Sequence, residues 1–296
     1  MTMTHALLKP AVHPPVFICG RYTVVLNRPR VMGVVNVTPD SFSDGGRFAD
    51  PNGRLDSHRA IAHAQSLVEA GADILDVGGE STRPGAVTVS AQEELDRVMP
   101  VLEGVCDIGV PISIDTRRPE VMRAAIALGV DIINDVNGFR DPESLEVAVA
   151  SSCGLCVMHM LGEPQTMQRD PQYQDVIAQV YGFLLMQEEA LVARGVNPAR
   201  IALDPGIGFG KTFDHNLLLL SESQSLAPKK ILLVGVSRKS MIGTITGHAD
   251  PRDRVAGSVA AALWAAARGV QILRVHDVRQ TVDALRVWEA LSIRSH

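Results

Sequence analysis

PISIDTRRPEVMRAAIALGVDIINDV, residues 111–136, contains the fold in miniature. Two short β-branched runs, 111–115 and 131–136, bracket a stretch of helical periodicity at 119–128. Pro119 suits a first helical turn and Gly129 a helix stop. Apart from Ser113, the runs are apolar at 111–114 and 132–133, as in strands covered on both faces, and then turn polar, at Asp115 in the first and at Asn134-Asp135 in the second. The segment predicts a strand, a helix and a second strand parallel to the first.

The same unit recurs outward in both directions. Runs at 31–37 (VMGVVNV) and 73–78 (DILDVG) come before it, and runs at 154–159 (GLCVMH), 201–204 (IALD), 231–237 (ILLVGVS) and 270–276 (VQILRVH) come after. Helical stretches alternate with them at 56–70, 90–105, 119–128, 142–150, 171–194, 217–226, 252–268 and 278–293. Ser90 ahead of Gln92 and Glu93, and Pro142, add start signals; Gly71, Gly195 and Gly269 add stops. Eight strands alternating with eight helices predict the α/β class and a (β/α)8 TIM barrel, with a doubly wound sheet as the weaker option. Residues 16–26 predict a short hairpin, turning at Gly20-Arg21, that plugs the bottom of the barrel. No linker interrupts the series, so residues 1–296 read as one domain, with 1–15 a flexible N-terminal extension.

Composition narrows the function. Hydrophobic residues make up 46% and charged residues 21%, ordinary for a globular domain, and the net charge of -5 offers no basic field for nucleic acid or anionic lipid. No uninterrupted apolar run approaches the ~20 residues of a membrane span. Residues 1–15 lack the charged-then-apolar order of a secretory signal, so the expected location is cytoplasmic. Cys153 and Cys156 form a lone C-x-x-C inside an apolar run, which reads as core rather than as redox or zinc chemistry.

In this architecture sites collect at the carboxyl ends of the strands, and polar residues crowd there. Asn36, Glu80-Ser81-Thr82-Arg83, Asp115-Thr116, Asn134-Asp135, His159, Asp204, Ser237-Arg238-Lys239, and Arg274 with His276 each follow or end a run. Any one of them has a bland reading: Asp115 as a helix cap, His159 as a satisfied core histidine. Eight such endings on one face argue for a ligand that pairs them. Arg83, Arg274, His276 and Thr82 supply the donors that phosphate oxygens need, and Asn36 supplies a neutral oxygen for Mg2+, so this side suits a departing diphosphate. Asp115, Asn134, Asp204 and Lys239 form the mixed donor and acceptor set that reads the edge of a planar heterocycle. GIGFGKT at 206–212 ends like a phosphate-binding loop, but Pro205 stands where that motif needs its first glycine. Its glycines instead let backbone approach a flat ligand beside Phe209.

NVTPDSFSDGG at 36–46 resembles the first signature of the dihydropteroate synthases, and GGESTRPGA at 78–86 the second. SIDT at 113–116, INDV at 133–136, MHM at 158–160, LDPGIGFGK at 203–211, GVSRKS at 235–240 and RVHDV at 274–278 are similar to further blocks, in family order along nearly the whole chain. The resemblance implies condensation of 6-hydroxymethyl-7,8-dihydropterin diphosphate with 4-aminobenzoate, giving 7,8-dihydropteroate and diphosphate with Mg2+ as cofactor. It places Asp115, Asn134, Asp204 and Lys239 in the pterin pocket, walled by Met158 and Phe209. Asn36, Thr82, Arg83, Arg274 and His276 fall in the diphosphate and metal site. Phe42, Thr82, Pro84 and Ser240 meet the aminobenzoate, and Asp44 is a candidate to hold or deprotonate its amine, the alternative being a solvated turn residue. Segments 38–48 and 82–88 read as lids. Ile207 departs from the phenylalanine many members carry there. Two other functions compete: a pterin-binding methyltransferase with a corrinoid partner, and a non-catalytic pterin-binding paralogue. The alanine-rich stretch 256–269 could pack on another helix, and the resemblance implies a homodimer.

Overall fold

In the computed structural model, residues 14–38, 56–81, 88–225 and 230–293 are described. The chain opens with an antiparallel hairpin, β1 (Val16–Cys19) and β2 (Tyr22–Val25). The alternation then runs β3 (Arg30–Asn36), α1 (Ser57–Glu69), β4 (Ile74–Gly78), α2 (Ala91–Val105), β5 (Ile112–Asp115), α3 (Pro119–Leu128), β6 (Ile132–Asp135) and α4 (Pro142–Ala150). It continues with β7 (Gly154–Met158), α5 (Val176–Ala193), β8 (Ile201–Asp204), α6 (Phe213–Ser221), β9 (Ile231–Val234), α7 (Ser240–Thr246), α8 (Val255–Ala267), β10 (Ile272–Val275) and α9 (Val278–Ile293). Strands β3 to β10 are parallel and close on themselves, with β10 pairing both β9 and β3. The predicted (β/α)8 barrel is the observed fold.

Side chains alternate across each strand, so the register sorts every barrel residue. Val31, Val35, Leu75, Val77, Ile112, Ile114 and Ile133 face outward and pack with the helices in one large core. Met32, Ile74, Ile132, Cys156, Ala202, Leu233 and Ile272 face inward and fill the lower barrel together with Phe17 and Cys19 of β1. The hairpin is therefore the expected plug. Arg21 fastens it, its Nε donating to Asp131 at 3.1 Å, while Asp131 also accepts from the Ile112 amide at 3.0 Å. Cys153 and Cys156 lie in the outer and inner clusters respectively, so their spacing serves packing.

Helix boundaries follow the caps. Ser90 accepts from the Glu93 amide, Pro119 and Pro142 sit in first turns, and Gly71, Gly129, Gly195 and Gly269 all have positive φ just past helix ends. Three expected starts move. The helix expected from 171 begins at Val176, because Asp175 is its N-cap. The helix expected at 217–226 is Phe213–Ser221, opened by a capping box in which His215 replaces the usual acidic partner of Thr212. The helix expected from 252 begins at Val255, after a 3-10 turn at Pro251–Arg254. Helix α5 has the length and apolar composition of a membrane span, yet it belongs to the ring around the barrel, with its buried Glu188 paired to Lys230 at 2.5 Å.

Candidate active site

Continuing the inward register upward builds the barrel mouth. Above Met32, Ile74, Ile132, Cys156, Ala202 and Ile272 stand Asn36, Asp76, Asn134, Met158, Asp204 and Arg274, joined by Asp115 from β5. Two-residue periodicity thus turns a greasy lower layer into a polar upper one within four residues of strand.

Arg274 is the hub of this layer. Its Nε donates to Asp76 at 2.6 Å and its Nη2 to Asp115 at 2.7 Å. Burial opposes its charge, but Asp76 and Asp115 outweigh that and hold the guanidinium protonated. The Asn134 amide lies 3.3 and 3.4 Å from the two oxygens of Asp76. Burial pushes the Asp115 carboxyl well above the usual carboxylate range, against the pull of Arg274 and with a further push from Asp76. Asp204 is likewise raised by burial, opposed by Lys239 and by the Gly206 amide that donates to it at 2.7 Å. Lys239 donates to the Ile207 carbonyl, and its ammonium lies 4.5 Å from the centroid of Phe209. Burial lowers its pKa to about 8.

Phe209 packs on Val136, Met158, Met160 and Met167, an apolar wall beside the polar floor. The two expected pocket walls, Met158 and Phe209, therefore belong to one surface. On the other side His276 sits with its backbone amide 3.2 Å and Nδ1 3.1 Å from Ser237 Oγ. Ser240 is exposed as the first residue of α7. Thr82, Arg83, Pro84, Phe42 and Asp44 lie outside the described residues, as do the lid segments expected at 38–48 and 82–88 except for Thr38 and Thr88.

Several polar strand ends prove to be structural. Asp135 faces outward and accepts from the Asn137 and Phe139 amides, both at 2.8 Å. His159 takes the bland reading considered for it: burial and Lys211 drive its pKa down to about 3, and Lys211 Nζ meets its Nδ1 at 3.0 Å. Glu80 pairs with Arg117 and Arg118, at 3.0 and 3.2 Å. Arg238 adopts φ 60° and grips Asp277 at 2.6 and 3.0 Å. Lys211, only 3% exposed, also meets the carbonyls of His159 and Phe209, so it is directed into the protein rather than toward a phosphate.

Gly206 shows how tightly the loop after β8 is set. Its φ is +66°, and a Cβ there would meet the His159 carbonyl oxygen at 1.9 Å, which is backbone and cannot step aside. Gly206→Ala should destabilise the protein by roughly 3 kcal/mol or more, through positive-φ strain plus overpacking. Chemical denaturation would measure it, and an unchanged midpoint would refute the close approach.

Sequence reading missed two members of the site region. Asp76 is fully buried, and Lys211 is the buried partner of His159. For Asp76 the signal was present: it shares inward parity with Ile74 and is a carboxylate inside an apolar strand.

Fold and mouth together define a (β/α)8-barrel enzyme with its site at the carboxyl ends of the strands. The family model described as pterin binding enzyme matches residues 32–276. The dihydropteroate synthase of Neisseria meningitidis serogroup B is 51% identical over 94% of this chain and 98% of its own length. The dihydropteroate synthase of Burkholderia cenocepacia, solved in complex with 7,8-dihydropteroate, superposes with a TM-score of 0.86 at 46% identity, covering 96% of this chain and 99% of that one. That of Xanthomonas albilineans, solved with 4-aminobenzoic acid, gives 0.85 at 47%, covering 94% and 98%. The chain belongs to the pterin-binding enzymes and, among them, to the dihydropteroate synthases.

Proposed function

We propose that this protein condenses 6-hydroxymethyl-7,8-dihydropterin diphosphate with 4-aminobenzoate to give 7,8-dihydropteroate and diphosphate, by dissociative loss of the diphosphate. The observation that carries the reading is the convergence of Asp115, Asn134, Asp204, Lys239 and Arg274 on one mouth beside the Met158 and Phe209 wall. An arylamine is a weak nucleophile, so the exocyclic carbon must first become strongly electrophilic. Heterolysis of its C–O bond sends the electron pair out with diphosphate and leaves a cation delocalised into the dihydropterin. Asp115 and Asp204 lower the energy of that cation. Arg274 and His276 receive the developing charge on the leaving group, with Arg83 and Thr82 assigned to the same task. The amine then attacks, losing a proton, with Phe42, Pro84 and Ser240 assigned to its ring and carboxylate and Asp44 to the amine itself.

Asn36 ends β3 half-buried with a neutral oxygen, a donor that suits Mg2+ taking the rest of its shell from phosphate and water. Among the described residues no group of three or more His, Cys, Asp or Glu would hold a metal unaided, so the fit is to an ion that shares the diphosphate. When bound, Mg2+ supplies charge neutralisation on that leaving group. We place the enzyme in the cytoplasm.

The test is diphosphate release by the purified protein, with the pterin substrate, Mg2+ and 4-aminobenzoate supplied together and each omitted in turn. Steady release that needs all three, with dihydropteroate formed alongside, is the expected outcome. Binding of the pterin without turnover would point to the non-catalytic paralogue.

The homodimer has a candidate face. Helices α6, α7 and α8 border a groove of about 830 Å3 lined by Leu217, Leu218, Met241, Ile245, Ala261 and Trp264. Ile245 is 58% and Trp264 47% exposed, a contiguous apolar surface of the kind that marks protein contacts. A second copy of this chain is the proposed occupant, which extends the expectation for 256–269. Ile245→Glu should weaken dimerisation by roughly 30-fold or more, as loss of a central anchor does. Sedimentation would read it, and an equally tight dimer in the variant would move the interface elsewhere.

A further inference from the structure

Asp76 contacts two side chains that are assigned to substrate. It is fully buried beneath the mouth. Nε and Nη2 of Arg274 form the edge that ordinarily grips one carboxylate in two parallel bonds. Here that edge is divided, with Nε on Asp76 at 2.6 Å and Nη2 on Asp115 at 2.7 Å. The Asn134 amide lies 3.3 Å from the same Asp76 Oδ2 that Arg274 holds. One carboxylate on β4 therefore ties together β6 and β10 at the level of the pterin floor.

The division has a consequence for binding. If Asp115 turns to donors on the pterin ring, it must share or release its bond to Arg274. A guanidinium without either carboxylate would lose the bonds that aim it, and ordering it again on the diphosphate would be subtracted from substrate affinity. With Asp76 in place Arg274 keeps a partner throughout. We propose that Asp76 is a positioning residue for substrate binding that acts through Arg274: it fixes the guanidinium and leaves it a partner in the mouth when Asp115 turns to the pterin. The proposal rests on the assignment of Asp115 and Arg274 to the pterin diphosphate made above.

A residue that acts only through another gives losses that do not add. The test is calorimetric binding of 6-hydroxymethyl-7,8-dihydropterin diphosphate with Mg2+ to the wild type, Asp76→Asn, Arg274→Met and the double variant. Asp76→Asn should weaken binding roughly tenfold or more, and the double variant should bind within about threefold of Arg274→Met. Unchanged affinity in Asp76→Asn overturns the proposal, and so do losses that multiply in the double variant. If Asp76→Asn does not fold, the double variant removes the buried pair together and still decides the matter against Arg274→Met. Equal affinity supports the proposal, and a further tenfold loss overturns it. A wild type that does not bind this substrate overturns the substrate assignment itself, and the proposal with it.

Discussion

Asp204→Asn is expected to lower kcat by roughly 10²- to 10³-fold while the dissociation constant for the dihydropterin diphosphate moves less than about tenfold. The substitution keeps shape and leaves an oxygen for the Gly206 amide, which now donates to Asp204 at 2.7 Å. What it removes is a negative charge held 5% exposed at the mouth, where water cannot screen it. Burial already works against that charge and raises its pKa, a cost that an uncharged substrate ring does not recover and a cationic one does. The loss should therefore fall in the chemical step. Single-turnover kinetics would separate the two, and wild-type turnover in the variant would remove Asp204 from the charge-stabilising role.

The second large effect is expected at Lys239. Burial lowers its pKa to about 8, so it carries its proton below that value and loses it above. Asp115 is displaced the other way, upward by burial, so it accepts hydrogen bonds as a carboxylate only on the alkaline side of its raised pKa. The plot of kcat/KM against pH should be a bell, falling on the acid side as Asp115 takes up a proton and on the alkaline side through about 8 as Lys239 loses one. Lys239→Met keeps the stem over Phe209 but removes the charged donor. It should lower kcat/KM by roughly 10- to 100-fold, the range for one hydrogen bond to a charged group, and erase the alkaline limb. A limb that persists in the variant would mean that Lys239 is not the group that titrates.

The barrel was legible because a parallel strand buried on both faces needs a run of apolar residues, and glycine past a helix end is a backbone requirement that local sequence states openly. Starts were less legible where another start signal stood nearby or a cap partner was unusual. Asp175 is an ordinary cap ahead of α5 that lies four residues inside the stretch opened by Pro171, and in the capping box of α6 His215 stands where an acidic partner is usual. In the site, Asp115, Asn134, Asp204 and Lys239 were readable because polarity follows an apolar run at its end, and Arg274 because it stands two residues from His276 in the last run. Asp76 was hidden by sitting one step earlier, inside the run, and only the inward parity shared with Ile74 gives it away. Lys211 was hidden for a different reason. Its place depends on His159, 52 residues away, and no local pattern encodes that meeting. Glu94 is a third case: on an amphipathic helix it reads as surface, yet it is fully buried with Arg118 Nε at 3.0 Å.

The central claim is that this mouth separates diphosphate from the pterin before the amine attacks. Ring-substituted 4-aminobenzoates of graded amine basicity, compared in single turnovers at saturation, test it most directly. If the C–O bond breaks first, the rate of diphosphate release should be nearly independent of amine basicity across the series. A rate that climbs steeply with basicity would mean that the amine drives the departure, and would contradict the account.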